Sequence, residues 1–137
     1  MNEQENTKIV QQAYENFKNG DITALLDLYS DDIDWRLPEI ENMPWFGSRK
    51  GREETAEFIQ SLAEAQDVLT FNPREFIAQG DKVVALGDYS WRVKVTGREF
   101  GGDWAHVWTV KNGKLAGFQE YADTAAASKA HQKAAGA

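Results

Sequence analysis

The sequence predicts an α+β domain, and three observations carry that expectation. Apolar residues in the first half recur at the helical spacings of three and four. From Val68 onward they alternate with period two instead. Between the alternating stretches stand Gln79-Gly80-Asp81, Thr96-Gly97 and Asn112-Gly113, each a hairpin signal. Three helices in the first half followed by a four-stranded antiparallel meander make an α+β domain.

In TKIVQQAYENFKNGD, residues Ile9, Val10, Ala13, Tyr14 and Phe17 share one helix face. Asn19-Gly20 ends that helix, and Asp21 caps a second one carrying Ile22, Leu25, Leu26 and Tyr29. Ser30-Asp31-Asp32 reads as turn chemistry, and the alternating segment from Ile33 to Leu37 as a short strand stopped by Pro38. A loop with Pro44 and Gly47 follows. GREETAEFIQSLAEA then forms a third helix with Phe58, Ile59 and Leu62 inward. Four strands come next: 68–78, bent near Asn72-Pro73, then 82–95, 100–110 and 115–121. The alanine-rich tail reads either as a helical cap or as a frayed end. The whole of 1–137 is expected to be a single domain, with its core at 7–124 and the tail at 125–137. A strongly curved sheet around the helices would leave a concave face lined by side chains.

Composition removes several function classes. A length of 137 residues suffices for one self-sufficient core, and 12% aromatic content argues against disorder. The net charge of −7, with no Lys/Arg cluster to offset it, repels phosphate backbones, so nucleic acid is not an expected partner. The absence of cysteine removes disulfides, thiolate zinc sites and cysteine nucleophiles. The two histidines are His106 and His131, the latter in the tail, so no metal site is expected. There is no glycine-rich phosphate loop, GxSxG elbow or HExxH helix, and no cofactor is expected. The start, MNEQENTK, is polar, and no stretch approaches the ~18 apolar residues of a membrane span. A cytoplasmic location without membrane contact is the expectation.

The chemistry concentrates in DWAHVWTVKNGKLAGFQEYAD. Period two puts Trp104, His106 and Trp108 on one face of a strand and Ala105, Val107 and Thr109 on the other. The returning strand carries Glu120, and its place depends on the turn. A two-residue type I′ loop at Asn112-Gly113 would pair His106 with Gln119 and send Glu120 to the opposite face. A three-residue loop with a G1 bulge at Gly113 would pair Val110 with Lys114, His106 with Phe118 and Trp104 with Glu120. The second register is the one expected here. It gathers Trp104, His106, Trp108, Phe118 and Glu120 on one face, with His106 and Glu120 as diagonal neighbours.

A carboxylate and an imidazole in an aromatic pocket suit proton transfer. Apolar walls make a carboxylate a better base by desolvation. Imidazole can donate to a developing oxyanion or pass a proton on. Proton abstraction beside a carbonyl, as in isomerisation or aldol-type cyclisation, is the matching reaction class.

The stretches ENFKNGDITALLDLYSDDIDWRLP, GREETAEFI, GDKVVALG and WAHVWTVKNGKLAGFQEYAD resemble a SnoaL-like domain over about Thr7 to Thr124. That domain lies in the nuclear transport factor 2-like superfamily, beside ketosteroid isomerases, polyketide cyclases and limonene-epoxide hydrolases. The resemblance implies a cone-shaped α+β barrel with a deep apolar pocket, often as a homodimer packed through the sheet. By this resemblance the isomerases' oxyanion tyrosine falls at Ala13, one step from Tyr14, and their general-base aspartate falls at Leu37. The hydrolases' Arg-x-Asp pair reads Arg92-Val93-Lys94, without the aspartate. The acid that cyclases and hydrolases share on the last strand falls at Glu120, a Glu in place of Asp. The resemblance also places Trp35 and Trp45 near the pocket mouth, and lets Arg92 anchor a ligand oxygen if its strand bulges inward.

Two readings follow. In the first, the chain is a cofactor-independent isomerase, cyclase or hydrolase for a mid-sized apolar carbonyl or cyclic compound. Glu120 is its base and His106 its hydrogen-bond donor or relay, while Trp35, Trp45, Arg92, Trp104, Trp108 and Phe118 hold the ligand. In the second, the same pocket binds a small apolar or amphipathic ligand without catalysis. A homodimer through the convex face at Ala105, Val107 and Thr109 is expected with either.

Overall fold

The computed structural model describes residues 2–132. Its elements are α1 (Glu3–Lys18), α2 (Ile22–Asp27), β1 (Tyr29–Arg36), β2 (Arg49–Lys50), α3 (Gly51–Ala65), β3 (Gln66–Gln79), β4 (Lys82–Val93), β5 (Glu99–Lys111), β6 (Lys114–Ala122) and α4 (Thr124–His131). The strands form one sheet in the order β2-β1-β6-β5-β4-β3. The expected α+β architecture is present, with two additions. The meander is extended by β1 and β2, and β1 joins β6 in parallel, so the sheet is mixed. Ser30, Asp31 and Asp32, expected as a turn, lie within β1. The ladder to β6 is interrupted between Tyr29 and Asp34, and β2 pairs with Asp34 and Trp35 alone, so these three residues form an irregular stretch of the strand without register partners.

Local chemistry sets the helix ends. Asn2 caps α1 through a bond from Glu5 N, and Asp21 caps α2 through a bond from Ala24 N. The alanine-rich segment is a helix as far as His131, capped by Asp123, whose side chain accepts from Ala126 N. Residues 133–137 of the tail lie outside the described residues. No helix among the described residues is long and apolar enough to cross a membrane.

Helices α1 and α3 cover the concave side of the sheet. Val10, Ala13 and Tyr14 of α1 are buried against it, as are Thr55, Phe58 and Ile59 of α3. From the sheet, Val83, Ala85, Tyr89, Trp104, His106, Trp108, Leu115 and Phe118 point into the same core. The outermost strand, β3, accommodates Pro73, because an edge strand needs no ladder donor on its outer side. Its register shifts twice against β4, between Val68 and Thr70 and between Pro73 and Glu75. Such irregularities bend a strand and increase its twist, here around the helical layer.

The hairpin between β5 and β6 differs from both registers considered above. Lys111 pairs with Lys114 around Asn112 and Gly113, whose φ values of 52° and 76° are those of a type I′ turn. The extra residue sits farther along: Val110 pairs with Leu115 but Thr109 with Gly117, so Ala116 bulges out of the ladder. From there on, Trp108 faces Phe118 and His106 faces Glu120 directly. The expected face is therefore correct, while the bulge lies in β6 and not at Gly113. The His–Glu relation is accordingly a direct pair and not a diagonal one.

Candidate functional site

A cavity of about 120 Å³ lies between the concave face of the sheet, α1, α3 and the start of α4. Its wall is rich in aromatic side chains, including Tyr14, Tyr29, Trp35, Phe58, Tyr89, Trp91, Trp104, Trp108 and Phe118. Such walls supply contact area and orient planar ligands by offset or edge contacts. The rings form a continuous series on the sheet. Trp104 stacks on His106 at 4.0 Å, His106 meets Phe118 edge-on at 4.7 Å, and Phe118 stacks on Trp35 at 3.9 Å. The series crosses three strands, because Trp35 and Phe118 are register partners in β1 and β6 and His106 and Glu120 are partners in β5 and β6.

Within this wall four polar groups are linked. Trp108 Nε1 donates to the Tyr14 hydroxyl over 2.8 Å. The Tyr14 oxygen lies 2.8 Å from His106 Nδ1, and His106 Nε2 lies 3.3 Å from Glu120 Oε1. One arrangement of protons satisfies every member. Indole can only donate, so Tyr14 accepts from Trp108 and gives its own proton to His106 Nδ1. His106 then carries its proton on Nε2 and donates it to the Glu120 carboxylate. His106 is buried, at 5% exposure, whereas 23% of the Glu120 side chain remains accessible. The inner end of the network is thus fixed, and the carboxylate is its most accessible member.

The phenols here are neutral. Burial lifts the Tyr14 phenol far above its ordinary range; the Trp108 hydrogen bond opposes that, while Tyr29 and Glu120 add to it. Burial alone raises Tyr29 in the same way. Tyr89 is pushed up to about 12, by burial first and then by the negative charges of Glu120 and Asp123. Tyr14 is therefore a hydrogen-bonding hydroxyl and not a base.

Most of the candidate residues meet at this cavity. Trp35, Trp104, His106, Trp108, Phe118 and Glu120 all line it. Two do not. Arg92 is exposed and does not line the cavity: β4 pairs with β5 without interruption from Lys82 to Arg92, so no bulge turns its side chain inward. Trp45 packs behind the wall, 5.7 Å from Phe46 and 6.0 Å from Phe58, and Phe46 lines the cavity in its place. Irregular loops carry no period from which to choose between neighbours. Tyr14 is the member of this polar network that the sequence reading did not place among the site residues. It was placed on the inner helical stripe, and the signal was that it is the one residue of that stripe with a polar atom. Asp123, the α4 cap, also lines the cavity. Among the described residues no cluster of three or more His, Asp or Glu is arranged to hold a metal ion.

The sequence profile of the SnoaL-like domain matches residues 10–118. That span includes Tyr14, His106, Trp108 and Phe118 and ends two residues before Glu120. Among solved structures, an NTF2-like protein from Burkholderia xenovorans LB400 is 34% identical, with a TM-score of 0.87 over 96% of this chain and 99% of that one. An NTF2-like protein from Burkholderia thailandensis E264 is 28% identical, with a TM-score of 0.85 over 97% of this chain and 100% of that one. TerC, co-crystallised with polyporic acid, is 27% identical, with a TM-score of 0.81 over 94% of this chain and 99% of that one. No curated protein matches the chain.

Proposed function

The chain belongs to the SnoaL-like domain family, and from that premise we propose that it is a cofactor-independent acid/base catalyst of the isomerase, cyclase or hydrolase type. Its substrate is an apolar carbonyl or cyclic compound of modest size, held among the aromatic rings. The observation that carries this reading is the His106–Glu120 contact of 3.3 Å, at the boundary between a closed polar network and an open apolar cavity.

Glu120 is the base. His106 holds Oε1 by a hydrogen bond, which leaves Oε2 to take a proton from a substrate carbon beside a carbonyl or from an attacking water. The bond to hydrogen breaks, its electron pair moves into the substrate, and the carboxyl returns the proton at the product position. His106 acts by positioning the carboxylate, and Tyr14 fixes the imidazole by accepting Trp108 and donating to Nδ1. The proton does not travel inward, because the Tyr14 phenol binds its own proton too tightly to pass it on. That TerC was co-crystallised with a small molecule supports ligand binding in this fold.

One observation favours a binding domain without catalysis. Both imidazole nitrogens are engaged within the protein, so His106 has no donor free for a ligand. Glu120→Gln separates the two readings. It removes the basic oxygen and keeps most of the shape. Ligand affinity, followed by tryptophan fluorescence, is expected to change by less than ~1.4 kcal/mol, while turnover falls about 10²–10⁴-fold. Cyclic ketones, diketones and epoxides are to be assayed with both proteins in parallel. Binding of several without conversion, or equal conversion by the variant, overturns Glu120 as the base.

A further inference from the structure

A base that takes a proton from carbon leaves negative charge on the neighbouring oxygen, and an apolar cavity makes that charge costly unless a donor meets it. The polar network around Glu120 has no donor to spare. His106 has both ring nitrogens engaged, Tyr14 gives its proton to His106, and Trp108 gives its own to Tyr14.

Two further phenols line the cavity, Tyr29 and Tyr89. Neither hydroxyl makes a hydrogen bond among the described residues, and neither oxygen is sealed from solvent as the indole nitrogens of Trp35 and Trp104 are. Their relation to the base separates them. At Tyr89 the negative charges of Glu120 and Asp123 add to the effect of burial, whereas at Tyr29 burial acts alone. Tyr89 is therefore the phenol within reach of the carboxylate's field.

The fold holds Tyr89 in place. It lies on the inward side of β4 with Val83 and Ala85, and only 9% of it is exposed. Trp91 at 5.6 Å and Phe100 at 5.8 Å flank its ring. Its register partner on β5 is Gly102, which has no side chain to occupy the space beside it. The phenol, pushed up to about 12, keeps its proton through the neutral range and is a donor there. A hydroxyl buried to this degree without a protein partner is uncommon, and at a site it points to a ligand.

We propose that Tyr89 is a catalytic residue, donating its O–H to the carbonyl oxygen of a ring ketone while Glu120 takes a proton from the neighbouring carbon. The inference rests on the acid/base reading of Glu120, and it names the donor which that reading lacks. In the step, the C–H bond breaks and its proton goes to Glu120 Oε2. The electron pair forms a carbon–carbon double bond, and the carbonyl pair moves onto oxygen, where the Tyr89 hydrogen bond strengthens. Tyr89 keeps its proton throughout. Return of the proton from Glu120 to carbon restores the carboxylate.

The test pairs binding with hydrogen exchange. Cyclohexanone suits a cavity of about 120 Å³, near the ~150 Å³ in which an engineered apolar site takes up benzene. Methylenecyclohexane has the same shape without the oxygen. Tyr89→Phe keeps the ring and removes the O–H. By ligand-observed NMR it is expected to weaken cyclohexanone about 3- to 10-fold and to leave methylenecyclohexane within about 2-fold. In deuterium oxide, wild type is expected to speed exchange of the hydrogens beside the cyclohexanone carbonyl. Tyr89→Phe should slow that exchange about 10²-fold at saturating ketone. Circular dichroism checks that the variant folds. A readout on wild type alone is the infrared carbonyl stretch of bound cyclohexanone, expected below its value in hexane. An unshifted stretch, or equal effects of Tyr89→Phe on the two ligands, overturns Tyr89 as the donor. Exchange lost in Glu120→Gln but intact in Tyr89→Phe defeats Tyr89 alone. Selective weakening in Tyr89→Phe with exchange intact in Glu120→Gln defeats the base assignment alone. Wild type that does not speed the exchange overturns both.

Discussion

His106 and Glu120 face each other directly across β5 and β6, and their side chains meet at 3.3 Å. The relation is set earlier in β6, where Ala116 leaves the ladder ahead of Glu120 and shifts every later pair by one. Without that bulge Glu120 would fall on the convex face, opposite the cavity. If His106 acts by holding the carboxylate, then His106→Gln should lower kcat by about 10-fold and leave KM nearly unchanged, a smaller loss than in Glu120→Gln. Steady-state kinetics on any converted substrate checks this. A raised KM at constant kcat would make His106 a ligand contact instead.

Tyr14→Phe tests the inner half of the network. The substitution keeps the ring and its packing against Phe71, Phe76 and Trp104. It leaves Trp108 Nε1 without an acceptor and His106 Nδ1 without a donor. An expected loss of about 1–3 kcal/mol in urea unfolding follows from the unmet groups. Nitrogen NMR should report the Nε2–H tautomer of His106 in wild type and a mixture in the variant. Unchanged stability together with an unchanged imidazole would mean that Tyr14 does not set the tautomer.

The extent to which this was legible in the sequence follows from how local each determinant is. The span of α3 and the cap of α2 were readable, because a 3-4 stripe and an Asp at the N-cap act within one or two turns. The Trp104–His106–Trp108 face was readable because strand geometry allows no other split. The hairpin was half readable: Asn112-Gly113 specifies the turn, but nothing in KLAGFQE marks Ala116 as the bulge. The neighbouring Gly117 offers only a packing reason, since a Cβ there would lie 3.2 Å from Thr109. Tyr14 finds its partners 92 and 94 residues away, beyond any window that periodicity can see. Arg92 needed a bulge to face inward, and β4 pairs with β5 without one as far as Arg92.

Gly87→Ala should displace Trp104. Gly87 is the register partner of Trp104, and the Cε2–Cζ2 edge of the indole lies against it. A Cβ at Gly87 would intrude on Trp104 Cζ2 and on the Asn72 carbonyl oxygen, with Cε2 at 2.8 Å. The backbone of β3 cannot yield easily, so the indole must move, at an expected cost of about 1–3 kcal/mol. Near-ultraviolet circular dichroism should change together with the unfolding midpoint. An unaltered spectrum would mean that the ring series tolerates the shift.

Stability should fall in alkali. Tyr14, Tyr29 and Tyr89 are all held above the 10.0 of a free phenol, Tyr89 at about 12 and the other two beyond it. The folded chain therefore keeps these protons to higher pH than the unfolded chain does. That contribution is fully present below pH 10 and is lost as pH rises through the folded-state values. Urea midpoints are expected to be level with respect to these groups between about pH 8 and 9.5 and to drop above about 10. Tyr89→Phe should reduce the drop between about 10 and 12. A flat profile across that window would contradict the buried phenols.

The convex face of the sheet should carry a dimer. Two apolar rows cross it: Ile77, Val84 and Val107 are successive register partners on β3, β4 and β5, and Leu86, Ala105 and Tyr121 are partners on β4, β5 and β6. Ile77 is 52% and Tyr121 55% exposed, values that are high for large side chains on a sheet face. Contiguous apolar surface of this kind marks interfaces on soluble proteins. A two-fold arrangement would lay the rows of one copy on those of the other, so one patch serves both sides. Light scattering at micromolar concentration is expected to give about twice the chain mass of 15.4 kDa. Val107→Lys sets a charge where the two rows meet and should return the mass to that of one chain while the cavity, on the other face, still binds its ligand. A wild-type mass of one chain, or a Val107→Lys variant that remains paired, would place any interface elsewhere.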